Sequence, residues 1–403
     1  MTDVSYLQVL RSGRLAGVIG GDAVGKLGDG MLFVVLPLLA LQMHGSLRPA
    51  AAVSIIISAP YVLAMALSLY FGAGRRRFDA RLVVGVDGVL RAVTFGVLGL
   101  VADAGRISFG WLVTALAVGS ALRLMSTSGR RLLATGMAGE RARLSVNGLL
   151  GTSDSLAMYV VGPALGGVLA AVTRPGIAVA VGGCAYLSLI VCAALARGTA
   201  ADTAAPTRSG WSVLRRNAVA YRLLVVDFLF NLFYGPVEVA LPLLVTADLG
   251  AGAGALGTLW TCFGAGALTG AVLTGQLRRF PPQATVVVII GGWAVAMVLL
   301  AVAPTVPVAA AALIVGGVVY GPFLAVAYTL LQDNLDAEDQ QPVLTIYAAG
   351  IALAAPVGLG VGGPVVTLLG ARGGIAASAL VTAVLAPAVW WWIKPRPITP
   401  RPT

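Results

Sequence analysis

The stretch LAGVIGGDAVGKLGDGMLFVVLPLLAL, residues 15–41, decides the fold class of this chain. It is long enough to cross a bilayer as a helix, which takes about 20 mainly apolar residues. Such runs recur along the whole sequence, in which 58% of the residues are hydrophobic and 11% are charged. A soluble domain carries about 25% charged residues, so this composition excludes a soluble enzyme and a disordered chain. We predict an all-α membrane protein, because helices satisfy the backbone polar groups of long apolar runs within lipid.

Glycine, proline and charged residues divide the apolar runs into twelve predicted membrane spans. Their approximate limits are 15–41, 50–71, 82–102, 108–128, 145–171, 176–196, 220–246, 252–277, 284–303, 306–331, 342–369 and 373–393. The longest polar stretch between them, 197–219, is predicted to be a cytoplasmic linker. It separates an N-terminal six-helix bundle over 1–196 from a C-terminal six-helix bundle and short tail over 220–403.

The net charge is +11, and the positively charged residues are concentrated in the loops on one side of this predicted arrangement. Of the 27 lysines and arginines, 20 fall in the N-terminus, the alternate loops and the C-terminal tail, and four fall in the opposite loops. Because basic loops stay in the cytoplasm, both termini are predicted to be cytoplasmic. One loop on that side, 332–341, is acidic, but acidic residues weigh little in this rule. The basic balance therefore indicates membrane orientation rather than nucleic-acid binding.

Several chemistries lack their residues in this sequence. The three cysteines fall in apolar runs without paired spacing, and His44 is the only histidine, so neither a disulfide nor a metal site is predicted. No phosphate-binding GxxxxGK[ST] motif occurs, which argues against ATP as the energy source. No Ser/His/Asp set or HExxH motif is present either. We therefore expect a protein that is not an enzyme and that needs no cofactor.

The two halves resemble each other weakly. FVVLPLLAL (33–41) recurs as VEVALPLLV (237–245), and LYFGAGRRR (69–77) recurs as VLTGQLRR (272–279). Six-helix halves repeated in parallel are typical of transporters whose substrate site lies near the middle of the membrane.

Four segments carry a resemblance to a known family. They are GKLGDGMLFVVLPLLALQMHGS (25–46), DARLVVGVDGVLRAV (79–93), VGPALGGVLA (161–170) and NLFYGPVEVALPLLV (231–245). Over its whole length the chain resembles transporters of the major facilitator superfamily, and these segments resemble its branch of drug, siderophore and macrolide exporters. The glycine-rich segment is similar to a fifth-helix motif of drug:proton antiporters. In that fold, the resemblance implies, the first, fourth, seventh and tenth helices line the substrate cavity.

The loop between the second and third spans departs from the family pattern. The family has Gly, three residues, Asp and then basic residues, whereas here Gly72 is followed at the Asp position by Arg76. Asp79 is the candidate substitute, shifted by three residues. The resemblance implies that this Asp helps to latch the two halves in one state, so a different latch is expected here.

Charged residues inside a bilayer are costly and are therefore functional candidates. On the first helix Asp22, Lys26 and Asp29 fall within about 60° of one another at 100° per residue. Asp29 is predicted to lie at or beyond mid-depth and to contact the substrate or exchange a proton, and Asp22 is the weaker candidate. The alternative is a local salt-bridge ladder in which Lys26 only neutralises the two aspartates.

The seventh helix carries a second polar stripe, with Asp227, Asn231, Tyr234 and Glu238 spaced by four, three and four residues. A stripe of this length in an apolar helix is unlikely to face lipid. Glu238 lies near mid-depth without a cation on its own helix, which is typical of a proton-exchanging carboxyl. The alternative is a protonated Glu238 that only hydrogen-bonds to a neighbouring helix. Asp227 lies nearer the cytoplasm and is interpreted as a gate or cap.

The remaining intramembrane charges are predicted to pair. Asp87 and Arg91 are four residues apart and are interpreted as a structural pair on the third helix. Arg123 either joins that pair or faces the cavity and attracts anionic groups, with Asp154 as its expected counter-charge. Helix packing and hinges are the expected roles of a further set in the fifth span, which is Gly162, Pro163, Gly166 and Gly167.

These observations predict a proton-coupled exporter of small amphipathic molecules in the cytoplasmic membrane of a bacterium. Its partners are the substrate, protons and lipid, without nucleic acid or ATP, and a monomer is expected. The alternatives are a nutrient importer or uniporter of the same superfamily, and a membrane sensor or scaffold that transports nothing. Aromatic residues that would suit lipophilic cargo, or simply pack the core, are Trp260, Tyr320, Phe323 and Tyr328.

Overall fold

A computed structural model describes residues 6–73, 79–104, 107–196 and 210–393 of the chain. The regular structure of these residues is helical throughout. Eleven helical segments in the described ranges are long and apolar enough to cross a membrane, judged by length and composition. This supports a multi-pass membrane protein, as the sequence predicts.

The described residues form sixteen α-helices. Those of the first half are α1 (Tyr6–Arg11), α2 (Gly13–Met43), α3 (Pro49–Ala73), α4 (Ala80–Asp103), α5 (Phe109–Gly119), α6 (Arg123–Leu156), α7 (Gly162–Val172), α8 (Pro175–Cys184) and α9 (Leu187–Leu195). Those of the second half are α10 (Gly210–Arg216), α11 (Ala218–Leu243), α12 (Ala253–Leu273), α13 (Pro282–Ala301), α14 (Val306–Tyr320), α15 (Phe323–Asp333) and α16 (Ala337–Trp392). Short π-helical turns follow α6 and α11, at Ala157–Val161 and Leu244–Asp248, and a 3-10 turn, Thr274–Arg279, follows α12.

The last helix explains why eleven candidate spans stand where twelve are predicted. The final candidate runs as one helical segment from Ile346 to Trp392, over 47 residues. Inside it Gly370 has φ +75° and ψ 176°, so two helices meet there at a kink. Glycine adopts this backbone conformation without a steric penalty. The arms on either side correspond to the predicted spans 342–369 and 373–393, and the count of twelve and the cytoplasmic termini stay predictions.

Contacts divide the chain into two compact units. The first comprises Met1–Ala205 and Leu241–Gly264, and the second comprises Pro206–Ala240 and Ala265–Thr403. The end of α11 and the start of α12 therefore belong to the first unit, whereas the sequence assigns them to the C-terminal bundle. The predicted linker, 197–219, lies outside the described residues up to residue 209, and α10 is part of its described remainder. The six-plus-six division stays a prediction.

Small residues bring α2 and α7 into close contact. A Cβ atom on Gly162 would lie 2.8 Å from the Cα atom of Gly30, and one on Gly166 would lie 2.6 Å from the carbonyl oxygen of Met31. Any side chain at these two positions would push the helices apart, so the backbones approach as closely as glycine permits. The residues that the sequence assigns to packing are all buried in α7, namely Gly162, Pro163, Gly166 and Gly167.

The loop after α3 is described only at its two ends. Gly72 lies in the last turn of α3, and Arg76 lies outside the described residues. Asp79 is the N-cap of α4, where its carboxylate accepts hydrogen bonds from the backbone N–H groups of Arg81, at 2.9 Å, and Leu82, at 3.3 Å. The described contacts of Asp79 are thus those of a helix cap, and its part in a latch stays a prediction.

Candidate functional site

Asp29 is the centre of a buried polar cluster in the first unit. Asp29 is 6% exposed, and Arg91 of α4 donates a hydrogen bond to its carboxylate. The Tyr186 hydroxyl, between α8 and α9, lies 2.9 Å from the same oxygen and 2.6 Å from the Arg91 guanidinium. That guanidinium also lies over the Tyr186 ring, 3.6 Å from its centre. Two segments that are distant from Asp29 in sequence thus hold its carboxylate.

A second guanidinium shares this carboxylate. Arg123, the first residue of α6, has its Nη2 atom 3.7 Å from the Asp29 carboxylate, and its guanidinium lies 4.8 Å from the centre of the Tyr61 ring. The Arg123 side chain is 17% exposed, against 2% for Arg91. Arg91 is therefore enclosed, whereas Arg123 keeps part of its surface accessible.

Asp22 lies two turns before Asp29 on α2 and forms a separate buried pair. Its carboxylate is 2.6 Å from the Nη1 atom of Arg130, which is 1% exposed. The predicted spans 108–128 and 145–171 leave Arg130 in a loop between them, but it lies within the fourth candidate span and is enclosed. Asp154 lies in electrostatic range of Asp22 and Lys26. Lys26 itself is half-buried and makes no ion pair with any residue that the structure describes.

The pairings predicted within single helices are therefore wrong. Asp22 and Asp29 pair with arginines of other helices, not with Lys26. Arg91 turns instead to Asp29 and Tyr186, which offer it two hydrogen bonds and an aromatic face. Asp87 is fully buried, and neither carboxylate oxygen has a hydrogen-bond partner among the described residues.

The predicted partner of Arg123 is also wrong. Arg123 contacts Asp29 and Tyr61, whereas Asp154 lies near Asp22 and Lys26. Asp29 is on α2 and Tyr61 is on α3, so the guanidinium at the start of α6 reaches across to two other helices.

A cavity of about 40 Å³ opens beside the Asp29 cluster. It has room for a few water molecules or one small polar group, and not for a drug-sized molecule. Asp29, Arg91, Arg123, Tyr61 and Tyr186 supply its polar lining, and most of the remaining wall is aliphatic or aromatic. The polar groups therefore meet a largely apolar chamber.

The polar stripe of α11 divides into two parts in the second unit. Asp227 is fully buried and accepts a hydrogen bond from the Tyr347 hydroxyl of α16. Its other oxygen has no hydrogen-bond partner among the described residues. Asn231 donates to the backbone carbonyl of Asp227, at 2.9 Å, so its amide group serves its own helix. Asp227 is thus held from α16 rather than exposed as a cap at the end of a helix.

Glu238 is half-buried, eleven residues further along α11. It makes no hydrogen bond or ion pair with the residues that the structure describes. Tyr234, one turn earlier, belongs to an aromatic cluster, with ring centres 5.4 Å from Trp293 and 6.2 Å from Tyr320. The second unit therefore holds a carboxyl without a described partner on a helix that also carries an aromatic surface.

Each of the aromatic residues singled out in the sequence packs against another aromatic ring. Tyr320 and Phe323 join the cluster around Tyr234, with ring centres 6.1 Å apart. Tyr328 packs against Tyr347 at 5.6 Å, and Trp260 packs in the first unit against Phe33 at 4.7 Å.

Sequence reasoning missed the tyrosines that hold the buried charges. Tyr186 and Tyr347 are each fully enclosed and each bonded to an aspartate, and Tyr61 lies under Arg123. A signal was present for Tyr186, since a lone tyrosine in an apolar run needs a partner for its hydroxyl once it is buried. The partner itself could not be found from the sequence, because it lies 157 residues away.

Comparisons with known proteins give a family match and a shared fold. Residues 228–403 match the model of the Major Facilitator Superfamily. The human organic anion transporter MFSD10 (TETRAN) is 18% identical with a TM-score of 0.63, covering 94% of this chain and 99% of that one. A bacterial homologue of the human lysosomal transporter Spinster, inward-facing and occupied, is 13% identical with a TM-score of 0.70, covering 95% and 96%. A bacterial metal transporter is 17% identical with a TM-score of 0.65, covering 94% and 97%.

A search among curated proteins finds no significant match. At these identities the likeness to solved structures shows the fold alone, and the narrower resemblance to drug, siderophore and macrolide exporters stays a prediction. The second part of the chain thus matches the Major Facilitator Superfamily, and nearly the whole chain shares its fold with solved transporters.

Proposed function

We propose that this chain exports small amphipathic molecules by alternating access, driven by protons, across the cytoplasmic membrane of a bacterium. One observation carries the coupling to protons. Glu238 and Asp227 are two carboxyl groups on one membrane helix, and neither has a cationic partner among the described residues. A carboxyl without a cation can change between its charged and neutral forms as its surroundings change.

The two carboxyls suit this task differently. Asp227 is enclosed and held by Tyr347, whereas Glu238 is half-buried and has no described hydrogen bond. Proton exchange needs access to water in at least one state, so Glu238 is the leading exchange group. Asp29 suits it less, because two guanidinium groups already stabilise its charge. Coupling is therefore proposed for α11, and the Asp29 cluster is proposed as a substrate contact.

The direction and cargo rest on other support. Export is supported by the sequence resemblance to the exporter branch, and an amphipathic cargo by the pairing of charged and aromatic groups around the sites. A protein that acts as a monomer without cofactor or ATP fits this proposal. An importer or uniporter of the same superfamily, or a sensor without transport, remain the outcomes against which it is tested.

The test uses the whole protein in proteoliposomes with an imposed pH gradient. Fluorescent amphipathic probes of negative, neutral and positive charge are followed together with internal pH. The proposal expects proton-driven extrusion of at least one probe class by the wild type. It expects that Glu238→Gln loses this movement at least about tenfold while probe binding survives, since Gln keeps the volume but cannot exchange a proton.

Asp333→Asn is the matched control, because Asp333 is an exposed carboxylate at the end of α15 and should leave transport unchanged. Proton-driven extrusion at the wild-type rate by Glu238→Gln would refute the assigned coupling group. Probe flux without proton movement would show a uniporter, and accumulation of the probe in the opposite direction would show an importer. If no probe is transported at all, the protein is a sensor or scaffold.

A further inference from the structure

The Asp29 cluster holds more positive than negative charge within ion-pair distance. Arg91 and Arg123 both face the one carboxylate of Asp29. Asp87 of α4 interacts electrostatically with both guanidinium groups, but from beyond ion-pair distance in the described residues. Asp29 can therefore pair closely with one of the two arginines, and no second described carboxylate contacts the other.

Arg123 is the arginine left with capacity to bind. Arg91 donates to Asp29 and Tyr186 from its Nη2 atom, and the rest of its guanidinium, including an Nε without a described partner, is enclosed and out of reach of a ligand. Arg123 makes no side-chain hydrogen bond with the described residues, and its 3.7 Å approach to Asp29 is too long for one. A guanidinium has five N–H donors in a planar fork that matches a carboxylate. Those donors stand at the partly exposed end of the cluster.

The walls of the cavity define what accompanies the anionic group. Arg123 lies beside the Tyr61 ring, and the lining of the same cavity includes the apolar side chains of Phe33, Pro37 and Ile57. An inorganic anion would gain nothing from these walls, whereas an apolar body attached to the anion would be removed from water against them. The cavity of about 40 Å³ accepts the charged group itself, so the body extends beyond it.

We propose that this cavity is a recognition site for organic anions, in which Arg123 binds the carboxylate of the substrate and Asp29 is a built-in counter-ion that balances Arg91. The proposal deepens the proposed function, on which it rests, by naming the charge class of the cargo. A cationic cargo would meet the unbalanced guanidinium and be repelled. A neutral cargo would leave that guanidinium without an anion.

The test measures equilibrium binding to the whole protein in nanodiscs of neutral phosphatidylcholine, without any proton gradient. The probes are 2-naphthoate and its uncharged analogue 2-naphthamide, which share one ring system and differ in charge. The wild type should bind 2-naphthoate at least about tenfold more tightly than 2-naphthamide. Arg123→Gln should lose about tenfold to a hundredfold in affinity for 2-naphthoate, since a charged hydrogen-bonding partner is removed, and nothing for 2-naphthamide.

Two further variants and one competitor complete the design. Arg131→Gln is the matched control, because Arg131 is an exposed arginine of the same helix, and it should bind both probes as the wild type does. Arg123→Lys keeps the charge without the fork and should lose a few-fold in affinity for 2-naphthoate, which decides the matter if Arg123→Gln does not fold. Inorganic phosphate should compete poorly.

Equal binding of the two probes by the wild type, or wild-type affinity for 2-naphthoate in the folded Arg123 variants, would overturn the proposal. Phosphate that competes as well as 2-naphthoate would also overturn it, by showing a site for inorganic anions. Because no gradient is present, these outcomes leave proton coupling untouched. Conversely, proton-driven transport by Glu238→Gln would leave the anion site standing.

Discussion

Removal of Asp29 should destabilise the protein more than removal of Arg91, although the two residues form one ion pair. Asp29→Asn takes away the single carboxylate that faces two guanidinium groups, of which Arg91 is 2% exposed. Stranding a buried charge costs about 3–5 kcal/mol, and the amide oxygen, which still accepts a hydrogen bond, places the expected loss at the lower end, about 3 kcal/mol.

The loss for Arg91→Met is expected to be smaller. Asp29 then keeps Arg123 at 3.7 Å and the Tyr186 hydroxyl at 2.9 Å, so its charge is not stranded. The cost is that of one charged hydrogen bond, about 1.5–3 kcal/mol, and the methionine side chain still fills the space of the buried arginine stem. The double variant should cost less than the sum of the two, because both changes break the same contact.

Melting midpoints of purified protein in detergent, read by tryptophan fluorescence, give the order of the variants. We expect the wild type and the exposed control Arg131→Gln to be most stable, followed by Arg91→Met and then Asp29→Asn. Added 2-naphthoate should raise the midpoint of Asp29→Asn more than that of the wild type. A ligand that binds the folded state stabilises it by mass action, and the anion should bind the variant more tightly because both arginines have lost their counter-ion. If Arg91→Met melts at or below Asp29→Asn, Arg123 is not a second partner of Asp29 and the excess of positive charge is disproved.

Two other substitutions test contacts elsewhere in the structure. Tyr347→Phe removes the hydroxyl that donates to the buried carboxylate of Asp227 and should lower the free energy of unfolding by about 1–3 kcal/mol. The melting midpoint should fall accordingly, and an unchanged midpoint would show that this hydrogen bond is not formed. Gly30→Ala should also lower the midpoint, because its Cβ would lie 2.6 Å from the Met158 carbonyl oxygen. Gly20→Ala on the same helix is the control, since its Cβ would meet nothing within 4 Å and the midpoint should stay unchanged. Equal effects of the two substitutions would contradict the close packing of α2.

The positions of the helices could be read from the sequence because they depend on local hydropathy. The predicted span 82–102 corresponds to the observed candidate Ala80–Asp103, and 284–303 corresponds to Pro282–Ala301. Each limit is set by neighbouring residues, since a helix in lipid satisfies its backbone groups within itself. The kink at Gly370 was also signalled, by a short gap between two apolar runs, although the structure joins the arms into one helical segment.

The partners of the buried charges could not be read in the same way. Sequence periodicity compares residues three or four apart on one helix, and on that basis it paired Asp87 with Arg91 and offered Lys26 as an alternative partner of Asp29. The contacts that the structure shows instead join residues 62 and 157 positions apart, from Asp29 to Arg91 and to Tyr186. The sequence identified most of the charged residues that matter, while the choice of partner depends on which helix faces are brought together.

The buried carboxyls at the two proposed sites differ in whether an arginine contacts them, and this difference supports the proposed division of roles between substrate binding and proton exchange. A proton-exchanging carboxyl must be able to become neutral during the cycle, and a guanidinium in contact with it opposes that change. An anion-binding arginine has the opposite need, since its charge must be present and only partly balanced. One cluster would serve both needs poorly, because protonation of Asp29 would add a second unbalanced cation beside the substrate. Separate groups avoid the conflict: arginines with one shared counter-ion in the first unit, and carboxyls without a described cation, Asp227 and Glu238, in the second.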